Sequence, residues 1–224
     1  MSMTRNVLAG VVLSSLLLTG CVSKVTEQSQ FSGFLPSYDG LQEVTTPSGA
    51  TVLRWMAPNF KPSAYNTVVF KQLELFPAPH PTDRVDLKTL QSLQSYASLS
   101  AKNVLSQNFL VVPSLKAAPP GSRTLIMRVA ITGVSASTEG MKWYEVVPVA
   151  AVIGTVSAAT GIRDQNTELF LEADMVDAAT GKPVMKVVRK VFGETLENDS
   201  QAIKADDFKA AIKGVTDDMR AMFK

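Results

Sequence analysis

The chain has 224 residues, of which 46% are apolar or aromatic and 19% charged. That is enough to bury a sizeable core and too apolar for a disordered chain. Its 22 basic and 20 acidic side chains lack the basic excess that nucleic-acid phosphates demand, and with one Cys (Cys21) and one His (His80) there is no internal disulfide and no Cys/His zinc site.

Residues 1–20 carry one charge, Arg5, followed by an apolar run from Val7 to Leu18. A positive start, a short apolar core and small residues before a break form a secretory signal. The run is shorter than the roughly 20 residues a membrane helix needs. Leu18, Thr19, Gly20 and Cys21 then resemble the bacterial lipobox, in which the Cys thiol receives a diacylglyceryl group and the new amino terminus is acylated after cleavage. Cys21 is therefore the expected lipidation site, carrying S-diacylglycerol and an N-acyl chain; no other cofactor is expected. Several acyl chains anchor far more firmly than one. In lipoproteins like those of enteric bacteria, Asp after the Cys retains the protein at the inner membrane. Val22 and Ser23 stand there instead, which points to the outer membrane with the domain facing the periplasm.

Residues 21–30 read as the lipidated Cys and a polar tether. Phe31 to Leu41 mixes large apolar residues with Gly, Pro and Ser, an irregular segment docked on the domain. Residues 31–224 form one domain. Thr51–Trp55 is a short strand and Asn66–Phe76 a longer one. From Asp86 to Gln107, Leu90, Leu93, Ala97, Ala101 and Val104 recur on one helical stripe, with Asp86 or Asp83 as cap. Asn108–Pro113 reads as a short buried strand and Thr124–Val134 as an alternating one. In Thr167–Asp177, Leu169, Leu171, Ala173 and Met175 share one face, and Glu168, Glu172 and Asp174 alternate on what reads as a solvated face. A turn ending at Gly181 leads into Val184–Phe192, making a hairpin. Asp206–Phe223 is an amphipathic helix with Asp206 as cap. The order predicts an α+β fold: a mostly antiparallel or mixed sheet with two amphipathic helices packed on one face, plus an apolar helical insert at 142–165.

Within that insert, the 16 residues from Val146 to Gly161 carry no charge. As a helix they would span about 24 Å, short of a hydrocarbon core. Trp143 and Tyr144 precede the run like interfacial anchors. Trp143, Tyr144, Val149, Val152, Ile153 and Val156 are the candidate membrane or partner contacts, weighed against a plain buried helix. Arg163, Asp164 and Gln165 form a candidate recognition loop.

The catalytic inventory is thin. His80 lies among prolines without identifiable partners, and no nucleophile elbow, phosphate loop or metalloprotease motif is present. The acidic residues from Asp164 to Asp177 lack a calcium-loop spacing. Arg189 and Lys190 read as cross-strand ion-pair partners for them.

The lipobox, Phe31-Ser-Gly-Phe-Leu35 with Tyr38 and Leu41, Leu53-Arg-Trp55, Ile131-Thr-Gly-Val134, Tyr144-Glu-Val-Val-Pro148, Ala159 to Gln165, Val188-Arg-Lys190 and Leu196-Glu-Asn-Asp199 together resemble the bacterial lipoproteins of domain-of-unknown-function family 3313. The resemblance implies a membrane-tethered periplasmic domain and brings no catalytic residues. The expectation is a non-enzymatic lipoprotein that binds, or serves as an accessory component of, an envelope assembly, self-associating through the apolar insert. The alternative is a periplasmic ligand-binding or hydrolytic lipoprotein using the acidic residues near 164–177. Expected partners are the bilayer through acylated Cys21, the lipoprotein processing and sorting machinery, and an envelope protein or a second copy of the chain, with no nucleic acid and no metal.

Overall fold

The computed structural model describes residues 25–137, 165–198 and 200–224. Strands β1 (Gln42–Thr45), β2 (Thr51–Met56), β3 (Thr67–Val69), β4 (Glu74–Leu75), β5 (Leu110–Val112), β6 (Thr124–Ser137), β7 (Gln165–Asp177) and β8 (Pro183–Leu196) form one mixed sheet. Its order is β1-β2-β8-β7-β6-β3-β5, with β4 pairing β6. Helices α1 (Leu87–Leu105) and α2 (Lys209–Met222) complete the α+β architecture. The ladder from β1 through β6 is antiparallel, whereas β3 runs parallel to both β5 and β6.

The frame is the three long strands β6, β7 and β8. Alternation places Leu125, Met127, Val129 and Ile131 of β6 in one core with Leu169, Leu171 and Met175 of β7. The β7–β8 hairpin closes at Asp177, whose carboxylate accepts the N–H groups of Ala179 and Thr180, both at 2.9 Å. Gly181 completes the turn at φ 66°, a region that favours glycine.

Both helices cover the same side. The α1 stripe of Leu90, Leu93, Ala97, Ala101 and Val104 is buried, and Asp86 caps the helix by accepting the Thr89 N–H at 2.6 Å. The chain enters α2 through a 3-10 turn, Ala205–Phe208. This corrects the expected cap. Because the tighter turn delays the α-helix, Asp207 accepts the Lys204 N–H at 2.7 Å, while Asp206 pairs with Lys209 at 2.8 Å.

Three strand expectations also change. The segment 66–76 splits into β3 and the two-residue β4, since only Thr67–Val69 and Glu74–Leu75 find partners. β5 lies at the edge of the sheet, so Leu110 is exposed instead of buried. Gln42–Thr45, polar on three of its four residues, forms β1 by pairing with β2.

The opposite side of the sheet is also covered. Phe31–Leu41 lies across it as an irregular strap, with Phe34 and Leu35 buried against Ala130 of β6 and Val188 of β8. Phe31 and Tyr38 stack at 4.3 Å between ring centroids. Val25–Gln28 continue on this side beside Tyr38 and Leu53.

Gly193 of β8 sets how closely the 3-10 turn approaches. A Cβ there would lie 2.5 Å from the Asp207 carbonyl and 2.8 Å from Cδ1 of the fully buried Phe208. Gly193→Ala is expected to lift this turn off β8 and cost about 1–3 kcal/mol, read as a lowered urea midpoint with an unchanged slope.

Candidate functional site

Between α2 and the sheet the packing leaves a cavity of about 600 Å³. Its floor comes from β2 (Val52, Met56), β8 (Met185, Val187), β7 (Leu171, Ala173) and β6 (Met127, Val129). Its walls come from Ala97 and Ala101 of α1 and from Ile212, Val215, Met219 and Met222 of α2. Small residues explain the space: Ala97, Ala101 and Ala173 face a volume they do not fill. Five methionines border it, and their unbranched side chains can rearrange around an occupant.

The cavity has one polar end. Arg189 of β8 donates from Nη1 to Oδ2 of Asp218 on α2 at 2.7 Å, and both side chains are more than nine-tenths buried. Ser48, in the β1–β2 connection, donates its N–H to Oδ1 and its O–H to Oδ2 of Asp218, both at 2.8 Å. This carboxylate thus ties the end of the sheet to α2. The Arg189 Nε is buried with no hydrogen-bond partner among the described residues. Arg54 of β2 also lines the cavity, and its side chain makes no hydrogen bond or ion pair with another described residue. Burial pushes the Asp218 carboxyl up, but the Ser48 donors and the Arg189 guanidinium outweigh it and hold the group below the ordinary carboxylate range.

The acidic face of β7 is not the solvated face that its alternation suggested. Glu168, Glu172 and Asp174 are buried, because the strap and neighbouring side chains cover this side too. Glu172 lies in register between Ala130 and Val188. It accepts the Ser32 N–H at 2.9 Å and the Tyr38 O–H at 2.6 Å, which anchors the strap. Burial, followed by the Glu172 carboxylate, raises the Tyr38 phenol above its ordinary value. Asp174 takes both Nε and Nη2 of Arg128, at 2.9 and 2.5 Å. Glu168 accepts the Ser135 O–H at 3.2 Å and faces Lys190 Nζ at 3.7 Å. The expected cross-strand pairing therefore holds for Lys190. Arg189 points to the other face and reaches α2 instead.

These carboxylates stand on the sheet face away from the cavity, so they do not converge in it. Of the sequence-derived candidates, Leu18, Thr19, Gly20, Cys21, Trp143, Tyr144, Val149, Val152, Ile153, Val156, Arg163 and Asp164 lie outside the described residues, as does the apolar insert up to 164. Gln165 belongs to β7, paired with Leu196, and is buried rather than displayed on a loop. His80 is exposed. Sequence reading missed Arg189 with Asp218 as a site. The signal was two charges out of pattern: Asp218 on the apolar stripe of α2 beside Val215 and Met222, and Arg189 between Val187 and Val191.

Fold and cavity define a two-layer α+β domain with an apolar chamber between its layers. The chain belongs to the family described as "Protein of unknown function (DUF3313)", whose model matches residues 30–219. It is 41% identical over 204 residues to the "Uncharacterized lipoprotein YdcL" of Escherichia coli K12, covering 91% of this chain and 88% of that one. The YdcL protein of Escherichia coli O157:H7 matches with the same identity and coverage. Both comparisons support a lipoprotein of unknown function. Among solved structures, the PelC dodecamer from Paraburkholderia phytofirmans is similar at TM-score 0.39 and 10% identity, over 76% of this chain and 96% of that one. A neuraminyllactose-binding hemagglutinin homolog from Helicobacter pylori gives TM-score 0.34 and 12% identity, over 75% and 83%.

Two outcomes follow from the charges. Since the Asp218 pKa is depressed on folding, its contribution is complete above the unfolded carboxylate value and is lost as pH falls through that value toward the folded one. Urea unfolding at about pH 7 and about pH 3 is expected to show a steeper loss of stability in the native chain than in Asp218→Asn. Tyr38→Phe removes one donor from buried Glu172 and is expected to cost about 1.5–3 kcal/mol, with earlier protease cleavage in the strap than in the native chain.

Proposed function

We propose that this chain is an outer-membrane lipoprotein, tethered through acylated Cys21, whose periplasmic domain is a non-enzymatic binding module that takes an apolar ligand between α2 and the sheet. The observation that carries the reading is the chamber of about 600 Å³, lined by apolar side chains except at one end. That volume lies within the roughly 300–1,000 Å³ range of ligand sites, which are mostly apolar with a few fixed polar groups. Binding is favoured over catalysis because the described lining of the chamber holds one carboxylate, Asp218, already engaged by Arg189 and Ser48. The alternative built on the acidic residues near 164–177 loses support, since Glu168, Glu172 and Asp174 are buried away from the chamber. Participation in an envelope assembly, or self-association through the apolar insert, rests on the sequence of residues 142–165.

The test uses the full-length chain in isolated membranes. An uncharged, diazirine-bearing alkane is expected to label peptides of β8 and α2 on irradiation. Ala173→Phe, which fills the chamber from its floor, should abolish that labelling while the urea midpoint shifts by no more than overpacking allows, about 1–3 kcal/mol. Labelling confined to other surfaces would refute the chamber as a site. Radioactive palmitate should enter the native chain and not Cys21→Ser.

A further inference from the structure

Resting on the chamber as a ligand site, we propose that its occupant is a single-chain amphiphile with an anionic head, an acyl carboxylate or acyl phosphate, held by Arg189 and Arg54. The tail lies among Met56, Met185, Val187, Val215, Met219 and Met222.

Arg189 points to such a head. A guanidinium offers five N–H donors in a fixed fork. Asp218 engages Nη1, while Nε, on a side chain only 9% exposed, meets nothing among the described residues. Buried donors are ordinarily satisfied, so an unmet one at the edge of an apolar chamber marks where an acceptor belongs. The net charge selects an anion. Among the described residues, the charged lining consists of Arg54, Arg189 and Asp218, two cations against one carboxylate. Asp218 is already saturated by Ser48 and Arg189, which leaves Arg54 uncompensated. The register brings the two arginines together: Arg54 lies opposite Val187, and Arg189 follows two residues along β8 on the same face. Guanidinium groups match carboxylate and phosphate geometry in two-point contacts. An uncharged tail would leave the Arg189 Nε unmet, and a cationic head would face the surplus positive charge.

The head group is tested apart from the tail by irradiating membranes holding the full-length chain with diazirine-bearing palmitate or with its methyl ester. Palmitate is expected to label the β8 and α2 peptides at least about tenfold more than the ester, the scale of one charge-assisted hydrogen bond. Arg54→Gln, which orphans no partner, and Arg189→Lys, which keeps a cation facing Asp218 but removes Nε, should each lower palmitate labelling toward the ester's level. Competition then separates the two sources. Displacement by unlabelled palmitate or by a lysophosphatidic acid supports the proposal and names the head; displacement by an uncharged monoacylglycerol to the same degree overturns it. Equal labelling by palmitate and ester, unchanged in both arginine variants, overturns the head-group assignment while leaving the apolar site intact. No chamber labelling by either probe overturns the chamber itself.

Discussion

Strands β6, β7 and β8 are covered on both faces, by helices on one side and by the strap on the other. Burial on both faces controls which charges these strands can hold, because an unpaired charge in the interior is costly. Arg128 answers Asp174, Lys190 answers Glu168, and Tyr38 with Ser32 answers Glu172. Even Lys186, buried beside Trp55, donates to the carbonyls of Ser37 and Asp39 and so fastens the strap a second time. The polar groups of the central strands thereby become the attachment points of the segments that cover them.

The same logic makes the chamber distinctive. On the helix side, the described floor is apolar except at Arg54 and Arg189, and the tie from Arg189 through Asp218 to Ser48 joins β8 and α2 to the β1–β2 connection, 170 residues from Asp218 in the chain. That tie holds the polar end of α2 to the sheet while small residues leave space farther along. An apolar chamber bounded by a rigid charged end is an arrangement in which orientation and affinity are set by different residues.

Much of the fold is legible in the sequence, because its signals are periodic. The stripe from Leu90 to Val104 defines α1, the alternation from Leu125 to Ile131 defines the inner face of β6, and the turn at Gly181 defines the β7–β8 hairpin. What failed were inferences that need a partner. Gln42–Thr45 has little strand character of its own and is a strand because β2 lies beside it. Glu168, Glu172 and Asp174 show the same alternation as a solvated face, but the strap, more than a hundred residues away, covers Glu172, while Ser135, Lys190 and Arg128 meet the other two. The candidate site was legible only as an anomaly: Asp218 on a buried stripe and Arg189 between valines are misplaced charges in a one-dimensional pattern. Their meeting depends on α2 returning over β8, which no local periodicity encodes.

Val25–Gln28 lie on the strap side, beside Tyr38 and Leu53, whereas the chamber lies between α2 and the sheet. A pull on the chain at Val25 would therefore first load the Phe31–Tyr38 stack and the Ser32 and Tyr38 hydrogen bonds to Glu172. The full thickness of the sheet separates those strap contacts from α2, so the chamber can keep its shape while they bear a load.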